Sequence, residues 1–233
     1  MGQWTHRSLS PFSLIIHCFF LSILKCANAR FVTFEPGYEY IYRFNSTSHI
    51  NEVGQFVLQA KVSYTNIDQL PDGQELLLRI HTFSFTSVKQ PDVRDNSLDF
   101  SNWFSFIISQ QGEIEHVYHP KGEDGEVLAI KRGFAALLSG KFHDQHEVSS
   151  SDKQSDSWEY QTKEFGHEGN HNATYTVIRS PDGHIFKKVR EGHQVPNAKS
   201  RYEKTLHYHD KLGTIHRVLV DEDFTLPGVA HPG

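Results

Sequence analysis

Cysteine is nearly missing from this sequence: its 233 residues hold two, and only one methionine. Both cysteines, Cys18 and Cys26, fall in an amino-terminal stretch that reads as a secretory signal. Arg7 supplies its positive charge and no Asp or Glu precedes Glu35. Pro11 to Leu24 is an apolar run of about 14 residues, short of the ~20 that a bilayer span needs. Ala27-Asn28-Ala29 then offers the small-x-small pattern that signal peptidase accepts. The expected cut leaves a mature chain beginning at Arg30, with 233 less 29, or 204, residues and no cysteine. That excludes disulfides, a thiol nucleophile and a thiolate metal centre, while the length suffices to bury a core without covalent staples.

Other absences narrow the field further. No later segment is apolar for long enough to span a membrane as a helix. There is no Gly-rich phosphate loop, no Gly-x-Ser-x-Gly and no HExxH. Loss of Arg7 and Lys25 reduces 23 basic residues to 21 against 28 acidic ones, a net charge near −7. A chain of that sign is a poor partner for nucleic acid or an anionic membrane surface.

What is present is period-two alternation. Tyr38, Tyr40, Tyr42 and Phe44 share one face, as do Phe56, Leu58, Ala60, Val62 and Tyr64. Leu76, Leu78 and Ile80 follow, and the apolar phase then moves to Phe83 and Phe85, which predicts a β-bulge near His81-Thr82. Trp103 to Ile108 is apolar on both faces. Pro71-Asp72-Gly73, Gln111-Gly112, Pro181-Asp182-Gly183 and the Gly213 region supply turns, the third closing a hairpin. Gln90 to Ser101 and Ser149 to Ser157 read as polar loops. One segment breaks the rhythm: Val127, Ile130, Phe134, Leu137 and Leu138 follow helical spacing, with Asp124 placed to cap and Gly140 to end the helix. The order is four or five strands, one helix, then about five strands. It fits a mainly β fold, an antiparallel barrel or strongly curved sheet wrapped around one central α-helix.

Candidate chemistry is sparse. Asn45-Ser46-Thr47 and Asn172-Ala173-Thr174 are glycosylation sequons, so Asn45 and Asn172 are expected acceptors in a secreted protein. Of 16 histidines, 14 follow His6 and His17. His143-x-x-His146, His167-x-x-x-His171 and His207-x-His209 are the tightest groups, and the last would suit Zn²⁺ or Cu²⁺ if a carboxylate or third imidazole converged. Glu123-Asp124-Glu126 and Asp221-Glu222-Asp223 lie in turn-like, solvated sequence. None of these patterns assigns a catalytic residue, a metal ligand set or a cofactor.

A resemblance adds to this reading. Phe34-Glu35-Pro36-Gly37-Tyr38-Glu39-Tyr40-Ile41-Tyr42 resembles the first strand of the large lipid transfer proteins, a family that includes vitellogenins, apolipophorins, apolipoprotein B and the microsomal triglyceride transfer protein. Ile130-Lys131-Arg132-Gly133-Phe134-Ala135-Ala136-Leu137-Leu138 resembles that family's helix. Gly112-x-Ile114-x-x-Val117, Asn172 to Val177, Ser200-x-Tyr202 and Gly213-x-Ile215 follow in the family's order. The resemblance implies a β-barrel around one helix that binds lipid or docks a protein partner or receptor in lipid transport. In that family the lipid cavity is built by further domains, for which this chain, ending soon after Leu226-Pro227-Gly228, has no counterpart. The family barrel also bears disulfides that this chain cannot form. The expectations are a signal peptide over 1–29, a vitellogenin-like barrel over 30–228 and a short tail over 229–233. The function expected is that of a secreted, glycosylated, non-enzymatic lipid-transport module. The alternatives are an interaction module that has lost lipid handling, or a histidine-rich metal binder. Within the motif helix Ile130, Lys131, Arg132, Gly133, Leu137 and Leu138 are singled out, with Gly133 expected to pack closely on strands.

Overall fold

A computed structural model describes residues 32–50, 54–87, 98–143, 155–166, 169–191 and 199–225. The chain divides into two units, Met1–Arg30 and Phe31–Gly233, and the described residues all belong to the second. The proposed signal segment and its Ala27-Asn28-Ala29 site therefore lie outside the described residues.

The alternating segments form strands in two antiparallel sheets, each a simple meander. The first sheet holds β1 (Glu39–Ile50), β2 (Gly54–Gln69), β3 (Gly73–Ser87), β4 (Phe104–Ser109) and β5 (Ile114–Tyr118). The helix α1 (Gly125–Leu138) follows. The second sheet holds β6 (Ser157–Gly166), β7 (Gly169–Ser180), β8 (Gly183–Glu191), β9 (Lys199–His209) and β10 (Thr214–Thr225). The mainly β character, the strand–helix–strand order and the hairpin at Pro181–Gly183 thus stand as read from sequence.

The expected barrel needs correction. The two sheets do not close into one: helix and loops separate β5 from β6, and β1 meets β10 through side chains rather than a ladder. The local readings hold better. The register of β2 with β3 shifts between Lys61 and Val62, leaving His81 as the bulged residue. Buried hydrophobic residues of β2 and β3 keep the even positions Ala60, Val62, Tyr64, Leu76 and Leu78, and β4 is buried on both faces. Tyr40, Tyr42 and Phe44 pack against the core, but Tyr38 precedes β1 and is 66% exposed, so the four-aromatic face is a three-aromatic one.

One core joins both sheets and the helix. Phe34, Tyr64, Phe104 and Phe106 meet Phe134, Ala135 and Leu138 of α1, and Tyr175, Val177, Phe186 and Leu206 complete it from the second sheet. Gly112 shows how tightly the helix exit sits. Its φ of +90° favours glycine, and an added Cβ would lie 2.3 Å from the Phe142 ring.

Candidate functional site

The helix begins as its capping residue dictates. Asp124 accepts hydrogen bonds from the amides of Glu126 (2.8 Å) and Val127 (3.1 Å), two donors that would otherwise be orphaned. Its motif residues divide by face. Leu138 is buried, Ile130 and Leu137 pack against the core, and Arg132 is exposed. Gly133 is also exposed, and nothing lies within 4 Å of where its Cβ would stand. The close packing expected of Gly133 is therefore corrected: it follows Arg132 onto the solvent side, opposite the Val127–Lys131–Phe134–Leu138 stripe.

Lys131 lies on that buried stripe, 1% exposed. A buried ammonium needs a partner, and Lys131 has two, the carboxylate of Glu123 and the carbonyl of Asn102 at 2.7 Å. Glu123 is equally buried, and its Oε2 takes no hydrogen bond. Glu123 and Asn102 line an acidic recess of about 390 Å³ together with Asp99, Asp124 and Glu126, and Lys131 lies behind that lining, bonded to both.

The larger concentration of buried charge is on the second sheet. Even positions of β6, β8 and β9 and odd positions of β7 face the core: Trp158, Tyr160, Ala173, Tyr175, Val177, Phe186, Leu206 and Tyr208. The same parity then brings Glu164, Lys188 and Lys204 to that face. Lys188 and Lys204 are directly opposite in the β8–β9 register, an unfavourable pair of like charges. Glu164 offsets it by ion-pairing with Lys188 and accepting a hydrogen bond from the Tyr175 hydroxyl. His171 stands 3.5 Å from the same carboxylate. Burial works against the Glu164 carboxylate, but Lys188 and Tyr175 outweigh it and hold its pKa below the usual range.

Lys204 points at the end of the helix, donating to the carbonyls of Ala136 (3.0 Å) and Ser139. There the last carbonyls lack helical partners and the helix dipole is negative. Burial, then the neighbouring Lys188, push the Lys204 pKa down to about 7, against which Glu164 pulls upward. Tyr175 accepts from the Lys141 amide (3.0 Å), while Tyr160 accepts from the His143 amide (3.1 Å) and donates to the Lys141 carbonyl (2.8 Å). The helix exit over 139–143 is thus fastened to the second sheet. The arrangement is a buried structural network: Lys204, fully enclosed, is not presented to a substrate.

Sequence reasoning missed this network because lysine in a strand reads as solvent-facing. The signal was parity, since Lys188 and Lys204 alternate in phase with Phe186, Leu206 and Tyr208.

The remaining candidates are dispersed. Asn45 and Asn172 are exposed on β1 and β7, opposite Gln59 and Lys163. His146 and His167 lie outside the described residues. His207 and His209 acquire a third imidazole, His216, at ring separations of 5.8 and 6.0 Å. Among the described residues, however, no three His, Cys, Asp or Glu side chains are arranged to hold a metal ion. Ser63 Oγ lies 2.8 Å from His81 Nε2, and Glu39 Oε1 is 3.4 Å from that same nitrogen. A catalytic triad uses opposite ring nitrogens for nucleophile and carboxylate. With Ser63 only 1% exposed, this cluster is a polar pairing around the β3 bulge.

No family model, curated protein or solved structure matches this chain. No described helix is long and apolar enough to cross a membrane.

Proposed function

We propose that this chain is a secreted, non-enzymatic module of lipid-transport lineage that docks a partner through its outer surface rather than carrying bulk lipid in its interior. The observation that carries the reading is the single core shared by both sheets and the helix. Inward-facing side chains occupy the space between these elements, so their apolar surface is satisfied by one another. The five-strand, one-helix, five-strand order supports the lineage, because it is the order in which the family-like motifs fall. In this reading the sheets curve about α1, with Lys131 as the inward anchor of the motif helix, and Asn45 and Asn172 carry glycans on exposed strand positions.

Two measurements on the secreted chain test it. Native mass spectrometry is expected to show a glycosylated protein without bound lipid, and flotation is expected to carry the chain upward with lipoprotein particles added to it. Near-stoichiometric lipid in the purified chain overturns docking in favour of direct lipid binding. A lipid-free chain that stays at the bottom of the gradient overturns the lipid-transport lineage.

A further inference from the structure

The two sheets meet at a seam bridged by hydrogen bonds to the β9–β10 hairpin. The β9–β10 hairpin contributes the Gly213 carbonyl, which accepts from the Thr33 amide at 2.8 Å, and the Ile215 carbonyl, which accepts from the Tyr42 hydroxyl of β1. Val32 and Phe34, flanking Thr33, are buried in the shared core. Gly213 has a φ of +63°, so the turn geometry that aims its carbonyl suits glycine.

The register of β9 with β10 shifts between Ile215 and Arg217. That bulge does two things at once. It sets the Ile215 carbonyl towards Tyr42, and it swings His216 out of the pairing and against His207 and His209 of β9. We propose that these three histidines form an acid-sensitive latch on the seam, whose protonation loosens the β9–β10 hairpin and frees β1 and the 32–34 arm from the second sheet.

The charges around the cluster favour this response. Arg217 of β10 is directly opposite His207. From β8, Lys187 lies two pairs further along, opposite Thr205 and held by Glu203 at 2.9 Å, and Glu203 is shared with Arg201. In the turn, Asp210 is engaged by His184 at 3.0 Å, and Lys211 adds a further positive charge. Asp221 of β10 is opposite Glu203, two pairs beyond Leu219 and Thr205 at its nearest approach to the cluster in register. The nearer carboxylates, Glu203 and Asp210, are thus already matched, and three imidazolium groups beside Arg217 would repel one another. Burial, then His216 and Arg217, already hold the His207 pKa below its ordinary value. A group so depressed contributes stability above its unfolded pKa and loses it as the pH falls through the folded one. Tyr42 is not the sensor: burial pushes its hydroxyl up to about 12, so it remains a donor throughout.

The test is hydrogen exchange of the whole secreted chain at pH 7.5 and 5.5, in EDTA and corrected for intrinsic rates. At the lower pH the amides of residues 32–42 and 206–218 are expected to exchange about tenfold faster, while residues 60–66 and 104–108 keep their protection. The double variant His207→Gln/His216→Gln is expected to stay protected at the seam at pH 5.5. If it does not fold, the single variant His216→Gln, at an exposed position, is expected to cut the acid response at least threefold, a reduction on the order of one lost charge pair. Equal acid responses in variant and wild type, no acid response at the seam, or loss of core and seam together would each overturn the latch.

Discussion

The two sheets face one core with different chemistry. The first presents Ala60, Val62, Tyr64, Leu76, Leu78, Phe104, Phe106 and Ile108, and its buried amides Asn66 and Gln74 bond the Phe34 backbone. The second begins equally apolar at Trp158, Val177, Phe186 and Leu206, then continues along the same strands into Glu164, Lys188 and Lys204. Each grips the helix in its own manner. The first uses aromatic packing and the Tyr64 hydroxyl, which donates to the Phe134 carbonyl at 2.9 Å. The second applies a cation to the helix carboxyl end, where the dipole is negative. The lesson is that burial of Lys204 on the second sheet follows the location of the helix terminus.

The largest expected effect comes from breaking the charge balance of the second sheet. Glu164→Gln keeps the shape of the side chain but leaves Lys188 and Lys204 facing each other without a carboxylate. Loss of one partner from a buried ionic group costs about 3–5 kcal/mol. Urea unfolding at neutral pH measures it, and a loss below about 1 kcal/mol would put the network in effective contact with water.

Next in size is the pH dependence carried by Lys204. Its folded-state pKa, near 7, lies below that of an unfolded lysine, so the folded chain gives up this proton first. Stability should therefore rise as the pH climbs above 7, and the gain is lost as the pH falls back through about 7. Between pH 7 and 9 the gain is at most about 2.7 kcal/mol, and the two helix carbonyls, which favour the ammonium form, reduce it. Lys204→Met is expected to flatten the slope. If wild type and variant showed the same slope in urea titrations at the two pH values, Lys204 would be charged throughout.

How much was legible beforehand follows from the same contrast. Alternation, turn residues and the Asp124 cap are local signals, and they placed the strands, the Pro181–Gly183 hairpin, the β3 bulge and the helix. Sheet closure depends on which edges meet across the whole fold, and no local pattern distinguishes a barrel from two meanders. The same holds for Gly133, whose face depends on helical phase: Lys131 took the buried stripe because Glu123 and Asn102 await its amine, and Gly133 went outward. Alternation would have revealed the lysines of β8 and β9 had hydrophobicity not been its sole measure. The His207–His209–His216 group needed the bulge at Ile215–Arg217, a tertiary outcome of pairing.

A smaller effect tests the first sheet's grip. Tyr64→Phe removes one hydroxyl from a fully buried ring and leaves the packing with Tyr42 and Phe106 in place. Burial raises the Tyr64 pKa well above its ordinary value, so it is a neutral donor at any working pH. The expected cost is about 0.5–1.5 kcal/mol, the net worth of a neutral hydrogen bond, with no change in pH slope. A cost approaching that of Glu164→Gln would erase the distinction between an apolar grip and a charged one.

The smallest effect has the opposite sign. Gly133 stands on the helix face that neither sheet covers, with open space where a Cβ would go. Nothing there needs glycine, so its backbone freedom in the unfolded chain is a pure disadvantage within α1. Gly133→Ala is expected to stabilise the protein by about 0.5–1 kcal/mol, read as a higher urea midpoint at unchanged slope. Destabilisation instead would mean that this face is covered after all. A gain in stability with a loss of flotation alongside lipoprotein particles would be more informative still, because it would separate folding from docking and place the partner on the exposed Arg132–Gly133 side of the motif helix.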